Sequence, residues 1–224
     1  RALAPGRQGG QHPAAVSAMD ALPPAGGTVR DAFYQLMRDA GCRVMFGNPG
    51  STELPMFRGF PGDMHYVLGL QEACVVGMAD GYAQASGNAA FVNLHSAAGV
   101  GNAMGAIYTA FKNQTPLVIV AGQQYRALHP FDPYLFSRQV TELPRPYVKY
   151  CIEPARAQDV PLAIARAWQT AMQHPRGPVM VSVPAPETLP PMALMKLARS
   201  TTSGSRAAFS STERPLARAA AIMM

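Results

Sequence analysis

The stretch LGLQEACVVGMADGYA, Leu68–Ala83, places a single carboxylate, Glu72, where an apolar run gives way to a helix of small residues. Upstream, HYVLGL has the apolar content of a buried strand, and downstream Ala73, Val76, Gly77, Ala79 and Ala83 form a smooth surface suited to close packing. An acid at a strand-to-helix junction has an ordinary role, favoured by the positive end of the helix dipole. Read in isolation, Glu72 points no further than that.

Working outward, the same alternation repeats on both sides. TVRDAFYQLMRDAG opens with Thr28 as a helix N-cap and Asp31 three residues on. It carries Val29, Phe33, Leu36, Met37 and Ala40 on one face and stops at Gly41. Then come a strand RVMF, a loop GNPGS, a short helix ELPMFRGF and the strand HYVLGL leading into a helix over 72–86. Strand AAFVNL, a helix over 97–113 and strand PLVIVAG follow; after a long loop come YVKYCI, a helix from about Asp159 to His174 and strand GPVMVSV. Strands this continuously apolar, alternating with helices, predict an α/β fold: a doubly wound, mostly parallel sheet with helices on both faces.

Composition agrees and removes other classes. Hydrophobic residues make up 48% and charged residues 14% of 224 positions, with 20 Gly and 21 Pro, which suits one packed α/β domain carrying many turns. The longest apolar runs are far shorter than a bilayer crossing, so no membrane partner is expected. The formal charge of +6 sits mainly in the tail: residues 28–190 hold 12 Lys and Arg against 11 Asp and Glu, whereas 191–224 hold 5 against 1. No dense basic run supports nucleic-acid binding. Cys42, Cys74 and Cys151 are odd in number, far apart and flanked by apolar residues, as expected of reduced packing residues in a cytoplasmic protein. Residues 1–27 lack the apolar core of a secretory signal and read as an irregular extension, with Met19 a plausible internal start. Residues 191–224, rich in Ser, Ala and Arg, show neither period and are expected to be disordered or to stem from a change of reading frame.

In doubly wound sheets ligands gather at the carboxyl ends of strands. Three polar clusters fall at such ends: Gly47-Asn48-Pro49-Gly50-Ser51, Gln71-Glu72 and His95-Ser96. Each has a structural alternative. Gly and Pro can simply make a turn, Ser51 can cap a helix, and His95 can be satisfied by a backbone carbonyl. AGVGNAMG lacks the third glycine and the later acid of a dinucleotide fingerprint. Gly99, Gly101 and Gly105 are better read as allowing a helix to approach the sheet or a second copy closely.

The three clusters occur together and in order, within VMFGNPGSTELPMF, LQEACVVGMADGYAQASG, FVNLHSAAGVGNAMGAI, PLVIVAGQQ and ELPRPYVK. Together these resemble the amino-terminal pyrimidine-binding domain of thiamine-diphosphate enzymes, most closely the benzoylformate decarboxylases, over roughly Thr28 to Pro184. The resemblance implies a domain spanning 28–190 with thiamine diphosphate and Mg2+ as cofactors. It further implies a 2-oxo acid substrate, an aryl one, converted to aldehyde and CO2, in a homodimeric or tetrameric full-length enzyme. Glu72 matches the glutamate that hydrogen-bonds N1′ of the aminopyrimidine, and Leu70, Ala73 and Val76 should give it an apolar, pKa-raising setting. Ser51 resembles the serine that holds the substrate carboxylate, and His95 the proton-relaying histidine. Asn48 and Gly50 fall in the cofactor-binding loop, and Tyr134 and Leu135 replace two leucines of the aryl pocket, with Phe131 and Phe136 nearby. The backbone carbonyls of Glu142, Leu143 and Arg145 match a site for a second, structural cation.

The family's G-D-G…N motif, which holds magnesium on the diphosphate, has no counterpart in this sequence, and the middle domain and second catalytic histidine are absent too. The chain therefore reads as an amino-terminal fragment, inactive alone. Two other readings stay open: the same domain of a synthase or ligase resembling acetolactate synthase, and a non-catalytic dimerising fragment. The histidine in NLHSAAG favours the decarboxylase.

Overall fold

The computed structural model describes residues 28–185. In chain order the elements are α1 (Val29–Asp39), β1 (Val44–Asn48), α2 (Leu54–Phe57), β2 (His65–Leu68), α3 (Glu72–Ser86), β3 (Ala90–Leu94), α4 (Ser96–Lys112), β4 (Leu117–Gln123), β5 (Cys151–Ile152), α5 (Val160–Met172) and β6 (Val179–Pro184). Six strands form one sheet in the order β2-β1-β3-β4-β6-β5, and every pairing among the described residues is parallel. This is the doubly wound α/β fold expected from the alternation.

Local chemistry sets the helix ends. Thr28 and Asp31 form a reciprocal capping box, and Gly41 turns the chain out of α1 at φ 68°. α3 begins at Glu72 but is capped by Gln71, whose side-chain oxygen accepts from Cys74 N–H at 3.1 Å. Gly87 ends it in the left-handed conformation.

Each sheet face buries its own core. On one side α1 and α5 pack Phe33, Met37, Ile164 and Trp168 over Met45, Phe91, Val118 and Val179. On the other, α3 and α4 pack Val75, Val76, Val100 and Ile107 over Phe46, Val92, Leu94 and Ile119. β3 and β4 are buried throughout, as strands covered on both faces must be.

Some expectations need correction. HYVLGL is not a buried strand: among the described residues β2 is a sheet edge with no strand paired beyond it, and His65 and Leu68 are exposed. YVKYCI contributes only Cys151–Ile152 to the sheet. Of the cysteines, Cys42 is buried, but Cys74 is exposed on the outer side of α3. The expected segments 1–27 and 191–224, and the last five positions of 28–190, lie outside the described residues. No described helix is long and apolar enough to cross a membrane.

Candidate active site

Chain order reverses across the sheet between β1 and β3. The chain runs from β1 out to β2 and then returns to the far side of β1. In such sheets the carboxyl ends at the reversal diverge and leave a crevice. Register places the three polar clusters around it. Asn48 lies opposite Leu94, so GNPGS and His95-Ser96 leave the sheet side by side. Gly47 lies opposite Leu68, and Gly69 N–H donates to the Gly47 carbonyl at 3.0 Å, which brings Gln71-Glu72 to the same edge.

His95 caps β3 and enters α4 through a strained corner. Ser96 holds φ 50°, and its hydroxyl is buried with no partner among the described residues. Left-handed backbone at a non-glycine residue costs about 1–3 kcal/mol, a cost met at sites where a side chain must be aimed. The aim here is toward Glu53, which the sequence alone does not single out. His95 Nδ1 lies 2.8 Å from Glu53 Oε2, and the glutamate side chain is only 4% exposed. Gly50 N–H donates to Oε2 at 2.8 Å, and the Thr52 hydroxyl donates to Oε1 at 2.7 Å. Two glycines make room: a Cβ at Gly50 would overlap the His95 ring, and one at Gly122 would overlap the Glu53 carboxylate. The hydrogen bond to Glu53 raises the pKa of His95 above the ordinary histidine value, against the opposing effect of burial; the charges of Glu53 and Glu72 add to the rise.

Glu72 stands in different surroundings. Since Gln71 caps α3, the Glu72 carboxylate reaches α4 instead, where Asn102 Nδ2 donates to Oε2 at 3.1 Å. A Cβ on Gly99 would sit in ordinary contact 3.4 Å from Oε1, and Oε1 has no hydrogen-bond partner among the described residues. The expected apolar enclosure is only half present. Val76 is fully buried, but Leu70 is 92% exposed and walls off nothing.

Beneath the crevice, Asn93 is wholly buried on β3. It accepts from the Tyr66 hydroxyl at 3.3 Å and donates to the Val120 carbonyl at 3.4 Å. Burial, and then the charge of Glu53, push the Tyr66 phenol far up, so it remains a donor. On the α1/α5 side a cavity of about 420 Å³ opens over Asn93, Val120 and Ile164. Glu53 and Thr52 reach its wall, but His95 and Glu72 do not.

Of the other candidate residues, Gly50 joins the Glu53 cluster directly, and Ser51 is half-buried in the turn that follows it. Asn48 ends β1 at the crevice. Tyr134 is 85% exposed, its carbonyl accepting from Gln124 Nε2 at 2.9 Å, and Leu135 holds φ 68°. Their loop is pinned by Gln123, whose buried amide donates to the Ser137 carbonyl at 2.8 Å and accepts from Gln124 N–H at 3.0 Å. Phe136 stacks on His129 with ring centres 4.3 Å apart, and Phe131 is exposed. Glu142 and Arg145 form an exposed ion pair, and the Glu142 carbonyl accepts from Arg145 N–H at 3.2 Å.

Residues 27–141 match the family model described as thiamine pyrophosphate enzyme, N-terminal TPP binding domain. The chain belongs to this family. It is 53% identical to benzoylformate decarboxylase of Pseudomonas aeruginosa over 157 residues, 70% of this chain and 30% of that protein. Against the acetolactate synthase large subunit of Haemophilus influenzae it is 32% identical over 156 residues, 69% of this chain and 27% of that protein. Among solved structures it is similar to the thiamine diphosphate-dependent 4-hydroxybenzoylformate decarboxylase of Rhodococcus jostii RHA1, with a TM-score of 0.70 and 41% identity, covering 86% of this chain and 36% of that one. The chain thus spans about a third or less of the relatives it matches.

The sequence pointed to Glu72, His95, Ser51, Gly50 and Asn48, and the fold brings all five to the carboxyl ends of neighbouring strands. It passed over Glu53, Gln123 and Asn102. A local signal for Glu53 existed in G-S-T-E, a glycine three residues before an acid that can bond back to its N–H. The pairing with His95, 42 residues away, could come only from the β1/β3 register.

Proposed function

We propose that this chain is the amino-terminal part of a thiamine-diphosphate-dependent decarboxylase that converts an aryl 2-oxo acid to an aldehyde and CO2. The observation that carries the reading is the pairing, at the carboxyl end of the sheet, of a carboxylate with an open oxygen (Glu72) and a histidine held by a buried acid (His95). When bound, thiamine diphosphate supplies an acidic thiazolium carbon and an electron sink for decarboxylation. The chain's own residues fit its aminopyrimidine half: Glu72 Oε1, without a partner among the described residues, is free to share a proton with a ring nitrogen.

In this reading His95 delivers and removes protons at the substrate-derived oxygen and carbon. Ser51 faces the substrate carboxylate from its turn, and Asn48 and Gly50 shape the loop beside the cofactor. Tyr134 and Leu135 line the aryl pocket. The carbonyls of Glu142, Leu143 and Arg145 hold a structural cation. No group of three or more His, Cys, Asp or Glu among the described residues could hold a metal ion, and a magnesium held through the cofactor's own phosphates needs only one or two carboxylates beside them. In this reading the diphosphate end is held by another part of a homo-oligomeric enzyme, and this chain alone is expected to be inactive.

The test is a chimera in which residues 28–185 replace the matching segment of the P. aeruginosa enzyme. Turnover of phenylglyoxylate, abolished by Glu72→Ala, is the expected result. A folded, cofactor-bound chimera that turns over pyruvate in preference would overturn the aryl assignment.

A further inference from the structure

We propose that Glu53 is the positioning residue of the site: it holds Nδ1–H of His95 and so reserves Nε2 as the only nitrogen that exchanges protons with a substrate. The role of His95 as proton relay rests on the function proposed above; the assignment of its nitrogens rests on hydrogen-bond counting alone.

The count runs through Thr52. Its hydroxyl has one proton, and that proton is committed to Glu53 Oε1 at 2.7 Å. Thr52 Oγ1 is also 3.3 Å from His95 Nδ1, and having spent its proton it can only accept there. Glu53 Oε2, 2.8 Å from the same nitrogen, is a carboxylate oxygen that already takes the Gly50 N–H. Nδ1 therefore faces two acceptors and no donor, and an Nε2–H tautomer would set a lone pair against both. Neutral His95 must carry its proton on Nδ1, which turns the Nε2 lone pair outward as a base; on protonation both nitrogens carry hydrogen and Nε2–H becomes the acid.

The surroundings enforce this geometry. Glu53 is locked by two further donors and by the missing side chain of Gly122, and the ring is seated by the missing side chain of Gly50. A carboxylate 2.8 Å from Nδ1 also stabilises the imidazolium. The charged groups acting on the ring are Glu53 and, more weakly, Glu72.

The experiment uses the chain as it is, without cofactor. Histidine ring nitrogens are labelled with 15N, and His95 is assigned by through-bond correlation to its backbone. Its tautomer and titration midpoint are then read by NMR in wild type, Glu53→Gln and Glu53→Asp. The wild-type neutral ring is expected to be Nδ1–H; a ring found as Nε2–H overturns the proposal without any substitution. In Glu53→Gln the midpoint should fall by about one pH unit, a roughly tenfold weaker hold on the proton, with the circular dichroism spectrum retained. Glu53→Asp, which keeps the charge, should recover part of that fall. A midpoint unmoved in Glu53→Gln also overturns the proposal. Because none of these readouts needs turnover, they can fail while the chimera works, or hold while it does not.

Discussion

Two carboxylates flank the same crevice and differ in how much of their surroundings this chain supplies. Glu53 is 4% exposed, with three donors on its two oxygens and a glycine hollowed out for it. Glu72 is half-buried, with one donor, one open oxygen and an exposed leucine beside it. The first site is enclosed by the described residues, and the second is left open by them. In the function proposed above, that difference would separate two kinds of work: Glu53 would act through a histidine and be rigid before anything binds, whereas Glu72 would leave an oxygen free for a bound ring.

The largest effect should appear where the more open carboxylate meets its ligand. In the chimera, Glu72→Gln should slow hydrogen–deuterium exchange at C2 of the bound cofactor by about 10²–10⁴-fold, the usual loss on removing a general acid–base group. An amide can accept a hydrogen bond from the ring but cannot share its proton. Exchange at the wild-type rate, followed by NMR, would return Glu72 to the ordinary place of an acid at a helix start.

Stability should show the opposite ranking. Gly122→Ala places a methyl group where the Glu53 carboxylate lies, and overpacking of this kind costs about 1–3 kcal/mol. Glu72→Ala removes one hydrogen bond at a half-buried position and should change stability by less than about 0.5 kcal/mol. Urea unfolding of both variants of this chain measures the contrast. Equal midpoints would mean that Glu53 is no more firmly held than Glu72.

How much of this could be read from the sequence follows the same divide. The α3 start at Glu72 and the capping box at Thr28 were legible because each is set by residues within one turn. So were the alternating elements and the three clusters at strand ends, since strand period and turn chemistry are local. The enclosure of Glu72 was misjudged because Leu70 looks like any core leucine until the sheet shows β2 at its edge. Glu53 was missed for a related reason: ELPMFRGF reads as a short helix, and only the β1/β3 register sets its first acid against His95. Resemblance carried the roles of Glu72, His95 and Ser51; no pattern within this one sequence assigns them.

In the proposed function, substrate preference would fall to the more open side as well. Tyr134 is exposed in this chain, on a loop pinned by Gln123 and Phe136. Enclosed in a whole enzyme, its hydroxyl would need a partner and its ring would narrow the pocket. In the chimera, Tyr134→Leu should shift kcat/KM from 4-hydroxyphenylglyoxylate toward phenylglyoxylate and its 4-tert-butyl analogue. The shift should correspond to about 1–3 kcal/mol, the worth of one pocket contact. Unchanged ratios would place Tyr134 outside the pocket.

The smallest effect concerns pH and tests the enclosed side alone. The folded-state pKa of His95 is raised above its unfolded value, chiefly by the hydrogen bond to Glu53. A group shifted in this direction binds its proton more tightly in the folded chain. Its contribution to stability is fully present below the unfolded pKa, about 6.5, and is lost as pH rises through the folded value. Glu72 is common to wild type and to a Glu53→Gln variant, so the difference between their profiles isolates the effect of Glu53 on His95. Urea midpoints taken from pH 5.5 to 8.5 should therefore fall with rising pH in wild type by more than in Glu53→Gln. His65, His129 and His174, elsewhere in the described fold, are common to both variants and drop out of the difference. Parallel profiles would mean that the imidazolium gains nothing from its buried neighbour, and the contrast between the two carboxylates would then rest on packing alone.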